Sequence, residues 1–260
     1  MRSEFPGHLA EAAREAQGSL LVVIGGDGTV NEVVNGVAGT EAEIAVLPCG
    51  TGQDFGRTHG IPDRFDDAVR VALGDVTRTI DLGRVELEDG TTRFFANVGS
   101  AGMSGSVARR ANSMTKAFGG RATFFYALTR EFLAWQNTRV VVELDGGVRR
   151  EGPMHDVIVA NGRYHGGGMK LAPEAQQNDG AFDVVLIGDV TKPDFITTAP
   201  KLYSGRYLSH PKVELLRSPT VAVEAVEPLP LEVDGEPIGT TPARFEVVPS
   251  ALRLRVPAAA

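Results

Sequence analysis

The segment Gly25-Gly26-Asp27-Gly28-Thr29 has the residue types and spacing of an anion cradle. Glycines let a backbone approach a phosphate closely, and the carboxylate of Asp27 could hold Mg²⁺ or a water beside it. The segment lies between an apolar run, Leu20 to Ile24, that reads as a buried strand, and a helical pattern from Val30 to Val37. In an open α/β sheet ligands sit at the carboxyl ends of strands, where a helix N-terminus offers unpaired N–H groups to phosphate. Gly25, Gly26, Asp27, Gly28 and Thr29 are therefore the first candidate phosphate contacts. A plain glycine turn capped by Asp or Thr is the competing interpretation.

A second cluster repeats the arrangement after the strand pattern Ile44 to Leu47: Pro48-Cys49-Gly50-Thr51-Gly52-Gln53-Asp54-Phe55-Gly56-Arg57. Gly50, Thr51 and Gly52 can form an anion-facing loop, Asp54 is a second carboxylate, and Arg57 is a candidate phosphate contact. Alone, this cluster reads equally well as a capped turn. Two such loops on adjacent strands make a shared phosphate site the better reading. Far downstream, Asp234-Gly235-Glu236 follows the strand pattern Leu229 to Val233, which by itself signals a hairpin. Phosphoryl transfer to an alcohol, however, needs a group that accepts the hydroxyl proton. Asn178-Asp179-Gly180 reads as a turn before a strand. His59, His155, His165 and His210 lack metal-ligand spacing, and Cys49 suits a packed small side chain better than a nucleophile.

The elements that must position these groups change character along the chain. Helix signals at His8 to Gln17, Val30 to Val37 and Asp66 to Leu73 alternate with the two apolar strands, which implies a parallel sheet covered by helices. From Thr77 strand patterns dominate: 79–87, 93–98, 139–144, 156–160, 181–187, 213–216, 220–223, 229–233 and 243–248. Two helical inserts interrupt them, Arg121 to Trp135 and Pro193 to Tyr203. The first carries Phe124, Phe125, Leu128, Phe132 and Trp135, mostly on one face, which suits a core stripe and alternatively an interfacial helix. The shift near Gly83 sets the expected division into residues 1–83 and 84–260, with the last residues able to return to the first unit.

Composition narrows the function classes. With 42% hydrophobic and 23% charged residues the chain can bury a core, and a net charge of −7 argues against a nucleic-acid partner. One cysteine excludes an intrachain disulfide and a multi-cysteine zinc site, and suits a reducing cytoplasm. No apolar run reaches the roughly 20 residues of a membrane span, and the polar start Met1-Arg2-Ser3-Glu4 lacks a secretory signal, so membrane contact is expected to be peripheral.

Val23 to Val33 and Leu47 to Arg57 resemble the two nucleotide-site signatures of the diacylglycerol kinase catalytic family. That family includes bacterial diacylglycerol kinases, sphingosine and ceramide kinases and, more distantly in fold, NAD kinases and phosphofructokinases. The resemblance continues through Asn97-Val98-Gly99-Ser100-Ala101-Gly102, Asn161-Gly162, Gly166-Gly167-Gly168-Met169-Lys170-Leu171-Ala172-Pro173, Asn178-Asp179-Gly180 and Asp234-Gly235-Glu236. It implies an α/β fold in which a Rossmann-like nucleotide-binding domain, incomplete at its N-terminus, joins a β-rich sandwich-like domain. It also implies ATP and Mg²⁺ as cofactors, with a lipid hydroxyl as acceptor and diacylglycerol the first choice. Glu236 is then the base, Asp234 its support, Asp27 a further member of the catalytic set, and Asp179 part of a structural Mg²⁺ network. A membrane lipid substrate, a cytoplasmic location at the inner membrane face and a homodimer follow from the same resemblance.

Two departures accompany it. An Asn-Pro-x-x-Gly-like strand end, which relatives carry ahead of the segment matching Phe5 to Gly18, has no counterpart, and Gln53 stands where relatives usually carry Asn. Two other readings stay open: a kinase of a soluble substrate, like an NAD kinase, and a noncatalytic nucleotide- or lipid-binding remnant.

Overall fold

The computed structural model describes residues 2–5, 7–16, 18–114 and 120–258, without the side chains of 120–125. The chain opens with α1 (His8–Glu15), β1 (Leu20–Gly25), α2 (Asp27–Val37) and β2 (Glu43–Pro48). β1 and β2 pair in parallel from Leu20 opposite Glu43 to Gly25 opposite Pro48, so both glycine clusters leave the sheet at the same end. Every residue of β2 after Glu43 is buried, as a central parallel strand requires. Val30, Val33, Val34 and Val37 form one helical stripe on α2 and enter the same core. Two short helices, α3 (Asp54–His59) and α4 (Phe65–Leu73), precede the long strand β3 (Thr77–Leu87).

Beyond β3 come β4 (Thr92–Phe95), β5 (Val98–Gly102), α5 (Met103–Ser113) and α6 (Gly120–Ala134), then β6 (Thr138–Leu144), β7 (Arg149–Met154) and β8 (Asp156–Ala160). The two-residue strands β9 (Tyr164–His165) and β10 (Met169–Lys170) pair around Gly166 to Gly168. After β11 (Phe182–Ile187), α7 (Lys192–Thr198) opens with a capping box between Thr191 and Asp194. The chain closes with β12 (Val213–Ser218), β13 (Thr220–Ala225), β14 (Pro230–Val233), β15 (Glu236–Thr240) and β16 (Ala243–Arg255).

These strands build two large sheets. One follows the order β1-β2-β16-β13-β6-β7, with β3 on the other side of β16 and β4 beyond it; the second runs β12-β11-β8-β5-β14-β15. Within the first sheet β16 joins parallel and antiparallel parts: Arg253 and Leu254 pair in parallel with Glu43 and Ile44, whereas Ala243 to Glu246 pair antiparallel with β13. A core packs between the sheets, where Phe95 stacks on Phe182 at 5.7 Å and meets Phe245 edge-on at 6.1 Å.

Several sequence readings need correction. The pattern 93–98 is not one strand: the chain leaves β4 and enters β5 in the other sheet, because the Asp234 carboxylate takes the N–H groups of Ala96, Asn97 and Val98 that a continuing ladder would have used. α2 begins at Asp27, inside the glycine cluster, instead of at Val30. The segment 193–203 is an α-helix only to Thr198 and continues as tighter 3₁₀ turns. Of the aromatic stripe, Phe124 and Phe125 lie outside the described side chains, while Leu128, Phe132 and Trp135 pack toward α5, with Phe132 stacked on Phe195.

Candidate active site

The two glycine clusters touch through bare backbone. A Cβ on Gly50 would lie 2.5 Å from the Cα of Gly26, so position 50 cannot carry a side chain without a backbone shift, and a Cβ on Gly26 would meet Gly50 at a tight 3.2 Å. The Cys49 N–H donates to the Gly25 carbonyl at 2.9 Å, extending the strand pairing into the cluster. Gly26 is the N-cap of α2, which places Gly28 and Thr29 in its first turn, where N–H groups lack intrahelical partners.

The two aspartates of these clusters do different things. Asp27 Oδ1 accepts the Phe55 N–H at 3.0 Å and so caps the start of α3. Its Oδ2 projects toward Gly52, where an added Cβ would lie 2.5 Å away. Asp54, only 4% exposed, has both oxygens engaged: Oδ1 by Arg57 at 2.9 Å and the Gly168 N–H at 2.7 Å, Oδ2 by the Gly167 N–H at 2.7 Å. Burial raises the pKa of Asp54 and nearby Asp27 adds to the rise, while the two amides oppose it. Asp54 thus fastens the Gly166 to Gly168 loop to the second glycine cluster. Arg57 also donates to the Gly52 carbonyl at 3.0 Å. Together with Lys170 it lies over the Tyr164 ring, 5.7 and 5.8 Å from the centroid.

Asp234 and Glu236 reach this place from the other sheet. The Asp234 carboxylate is the acceptor for four N–H donors: Asn31 Nδ2 at 2.9 Å, Ala96 at 2.8 Å, Asn97 at 2.9 Å and Val98 at 3.0 Å. It therefore ties the β14–β15 turn to α2 and to the chain crossing between sheets. Glu236 is exposed; its Oε2 accepts from Asn112 Nδ2 at 3.0 Å, and its Oε1 lies 3.6 Å from where a Gly28 Cβ would stand. The carboxylate thus overhangs the first turn of α2.

The structure thus brings Gly25, Gly26, Asp27, Gly28, Thr29, Gly50, Thr51, Gly52, Asp54, Arg57, Asp234 and Glu236 to one cleft between α2, α3 and the β14–β15 turn. Asp179 is engaged elsewhere, paired with Arg217 and accepting the Ala181 N–H at 3.2 Å. Among the described residues no group of three or more Asp, Glu, His or Cys side chains forms a metal cage. Mg²⁺ needs no such cage, because water and phosphate oxygens complete its octahedron around one or two carboxylates. Asp27, with one oxygen held and the other facing the loop space, fits that demand; Asp54, with both oxygens taken, does not.

Sequence reasoning gave no role to Asn31, His165, Lys170 or Glu232. Asn31 stands one helical turn after Asp27, and that spacing was the available signal. Glu232 is fully buried within an apolar strand, and its partners lie in distant segments that no local pattern marks.

Two glycine clusters meeting at the ends of parallel strands, overhung by an acidic turn from a second, β-rich sheet, define an α/β-plus-sandwich class of protein. A diacylglycerol kinase crystal structure from Bacillus anthracis shares this fold, with TM-score 0.74 and 20% identity over 99% of this chain and 84% of that one. Residues 1–85 match the diacylglycerol kinase catalytic domain, and residues 97–256 match the YegS C-terminal NAD kinase beta sandwich-like domain. This chain belongs to the family of diacylglycerol kinases and YegS-like lipid kinases. It is 36% identical to a YegS-like lipid kinase of Pseudomonas aeruginosa, over 96% of this chain and 80% of that protein. It is 29% identical to a diacylglycerol kinase of Mycobacterium tuberculosis, over 96% and 81%. The Gln53 departure has a structural cost: φ is 56° there, a left-handed conformation that Asn tolerates better than Gln.

Proposed function

We propose that this protein transfers the γ-phosphoryl group of ATP to the hydroxyl of a membrane lipid, with diacylglycerol the first acceptor. The observation that carries the reading is the Glu236 carboxylate overhanging Gly28 at the start of α2. Backbone N–H groups of Gly26 to Thr29 and Gly50 to Gly52 bind the phosphates, and Asp27 Oδ2 would hold Mg²⁺. The metal, when bound, neutralises charge on the transferring oxygens. Glu236 accepts the proton of the lipid hydroxyl as its oxygen forms the new bond to phosphorus; the bond from that phosphorus to the bridging oxygen breaks, and ADP leaves. Asp234 holds the turn that presents Glu236.

Family membership supports the acceptor class, because the relatives are named for lipid or diacylglycerol phosphorylation. No helix among the described residues is long and apolar enough to cross a membrane, so the lipid is met at the bilayer surface. The test is a radiolabelled-ATP assay with Mg²⁺ over a panel of diacylglycerol, sphingoid bases, other glycerolipids and prenyl alcohols in mixed micelles. Label is expected in a lipid phosphate, with diacylglycerol the best acceptor. Label transferred to NAD and to no lipid would contradict the reading.

A further inference from the structure

Glu232 is fully buried in the middle of β14, and its two oxygens face in different directions. Oε1 accepts from Ser100 Oγ at 2.6 Å and lies 3.2 Å from His165 Nε2; Oε2 accepts the Gly235 N–H at 2.7 Å. The carboxylate therefore grips the turn that carries Asp234 and Glu236 with one oxygen, and the residue before Gly166 to Gly168 with the other. That loop in turn clamps Asp54. Both segments consist of left-handed backbone: Asp234 and Gly235 have φ of 49° and 88°, and Gly166, Gly167 and Gly168 have φ of 63°, 84° and 104°. Each is a turn closed by strand pairing, Val233 opposite Glu236 and His165 opposite Met169, and side chains hold the N–H groups within the turns.

A line of polar contacts roots the anchor in the sandwich. Ser104 Oγ donates to Asp156 Oδ1 at 2.8 Å, Ser104 Oγ and Ser100 Oγ meet at 2.6 Å, and Ser100 Oγ donates to Glu232 at 2.6 Å. Burial pushes the Asp156 pKa up to about 7 against the hydrogen bonds from Ser104. The line crosses β8, α5, β5 and β14.

We propose that Glu232 and His165 form a brace that couples the Asp234–Glu236 turn to the Gly166–Gly168 loop, making both of them positioning residues for Glu236. The exchange test below is independent of the lipid kinase reading; only its kinetic arm rests on it. His165→Ala removes one end of the brace without touching the Gly235 N–H or the sandwich core. Amide hydrogen exchange is measured by NMR for this variant and for the wild type. Exchange at Gly235, and at Gly167 and Gly168, is expected to accelerate about tenfold while the core of β5, β8 and β14 keeps its protection. His165→Gln, which restores an N–H donor to Glu232, is expected to recover part of that protection. Unchanged exchange at Gly235, or uniform acceleration through the whole sheet, would overturn the proposal. In the lipid assay, kcat of His165→Ala and Glu232→Gln is expected to fall about tenfold with KM for MgATP within about twofold. Wild-type kcat in folded variants would also overturn it. Failure of the lipid kinase reading would appear separately, as no turnover by the wild type, and the exchange data then decide the brace alone.

Discussion

Carboxylates of the same type take opposite roles in this cleft because of what their oxygens already touch. Asp54 and Asp234 are committed to protein N–H donors, whereas Asp27 keeps Oδ2 toward the loop space and Glu236 stands exposed over Gly28. Asp27→Ala and Glu236→Gln are each expected to lower kcat by about 10²- to 10⁴-fold with the fold intact by circular dichroism. Asp234→Asn is expected to lower thermal stability as well, since it converts an acceptor of four bonds into a mixed donor and acceptor. His165 gives a pH signature. Burial alone would lower its pKa, but the charge and hydrogen bond of Glu232, reinforced by Asp54 and Asp234, outweigh it and push the value up to about 9. The folded state therefore binds more protons than the unfolded one above the ordinary histidine value near 6.5. The pair's stabilisation is complete below about pH 6.5 and is lost as pH rises through about 9. A melting temperature that declines between pH 7 and 9.5 in the wild type and flattens in His165→Gln is the expected result. This histidine was not legible as a charged group, since its partner Glu232 lies in a distant strand.

At the scale of elements, the first glycine cluster was readable because one local rule sufficed: an apolar strand followed by glycines and a valine-striped helix. The short helix α3 was not, because its start is capped by Asp27 from another helix, which no local pattern encodes. α5 was hidden for a related reason: its stripe of Met103, Val107 and Ala108 is diluted by Gly105, whose missing Cβ lets Pro230 O approach to 2.2 Å from that position. The contact of Gly26 with Gly50 makes a sharp prediction. Gly50→Ala drives a methyl into backbone and is expected to cost about 1–3 kcal/mol and to weaken ATP binding, measured by denaturation and calorimetry. Phe245→Ala, in contrast, empties a fully buried position against Phe95 and is expected to cost about 3–5 kcal/mol in urea denaturation.

Across the whole molecule, β16 joins the parallel front strands to the antiparallel strands of the first sheet, because it pairs with β2 near its end and with β13 near its start. Strand content and the α/β character of the front third were legible from period and composition. The sharing of β16 was not, because its register shift between Val248 and Leu252 interrupts the alternation that marks a strand. The bond from Asn31 of α2 to Asp234 ties the acidic turn of the second sheet to the helix that follows the first glycine cluster. The most direct measurement is single-turnover transfer from radiolabelled ATP to diacylglycerol by the wild type and by Glu236→Gln, with ATP binding measured in parallel. The account predicts labelled lipid phosphate from the wild type, and from the variant unchanged ATP affinity with transfer slowed by at least about 100-fold. Transfer by Glu236→Gln at the wild-type rate would contradict it.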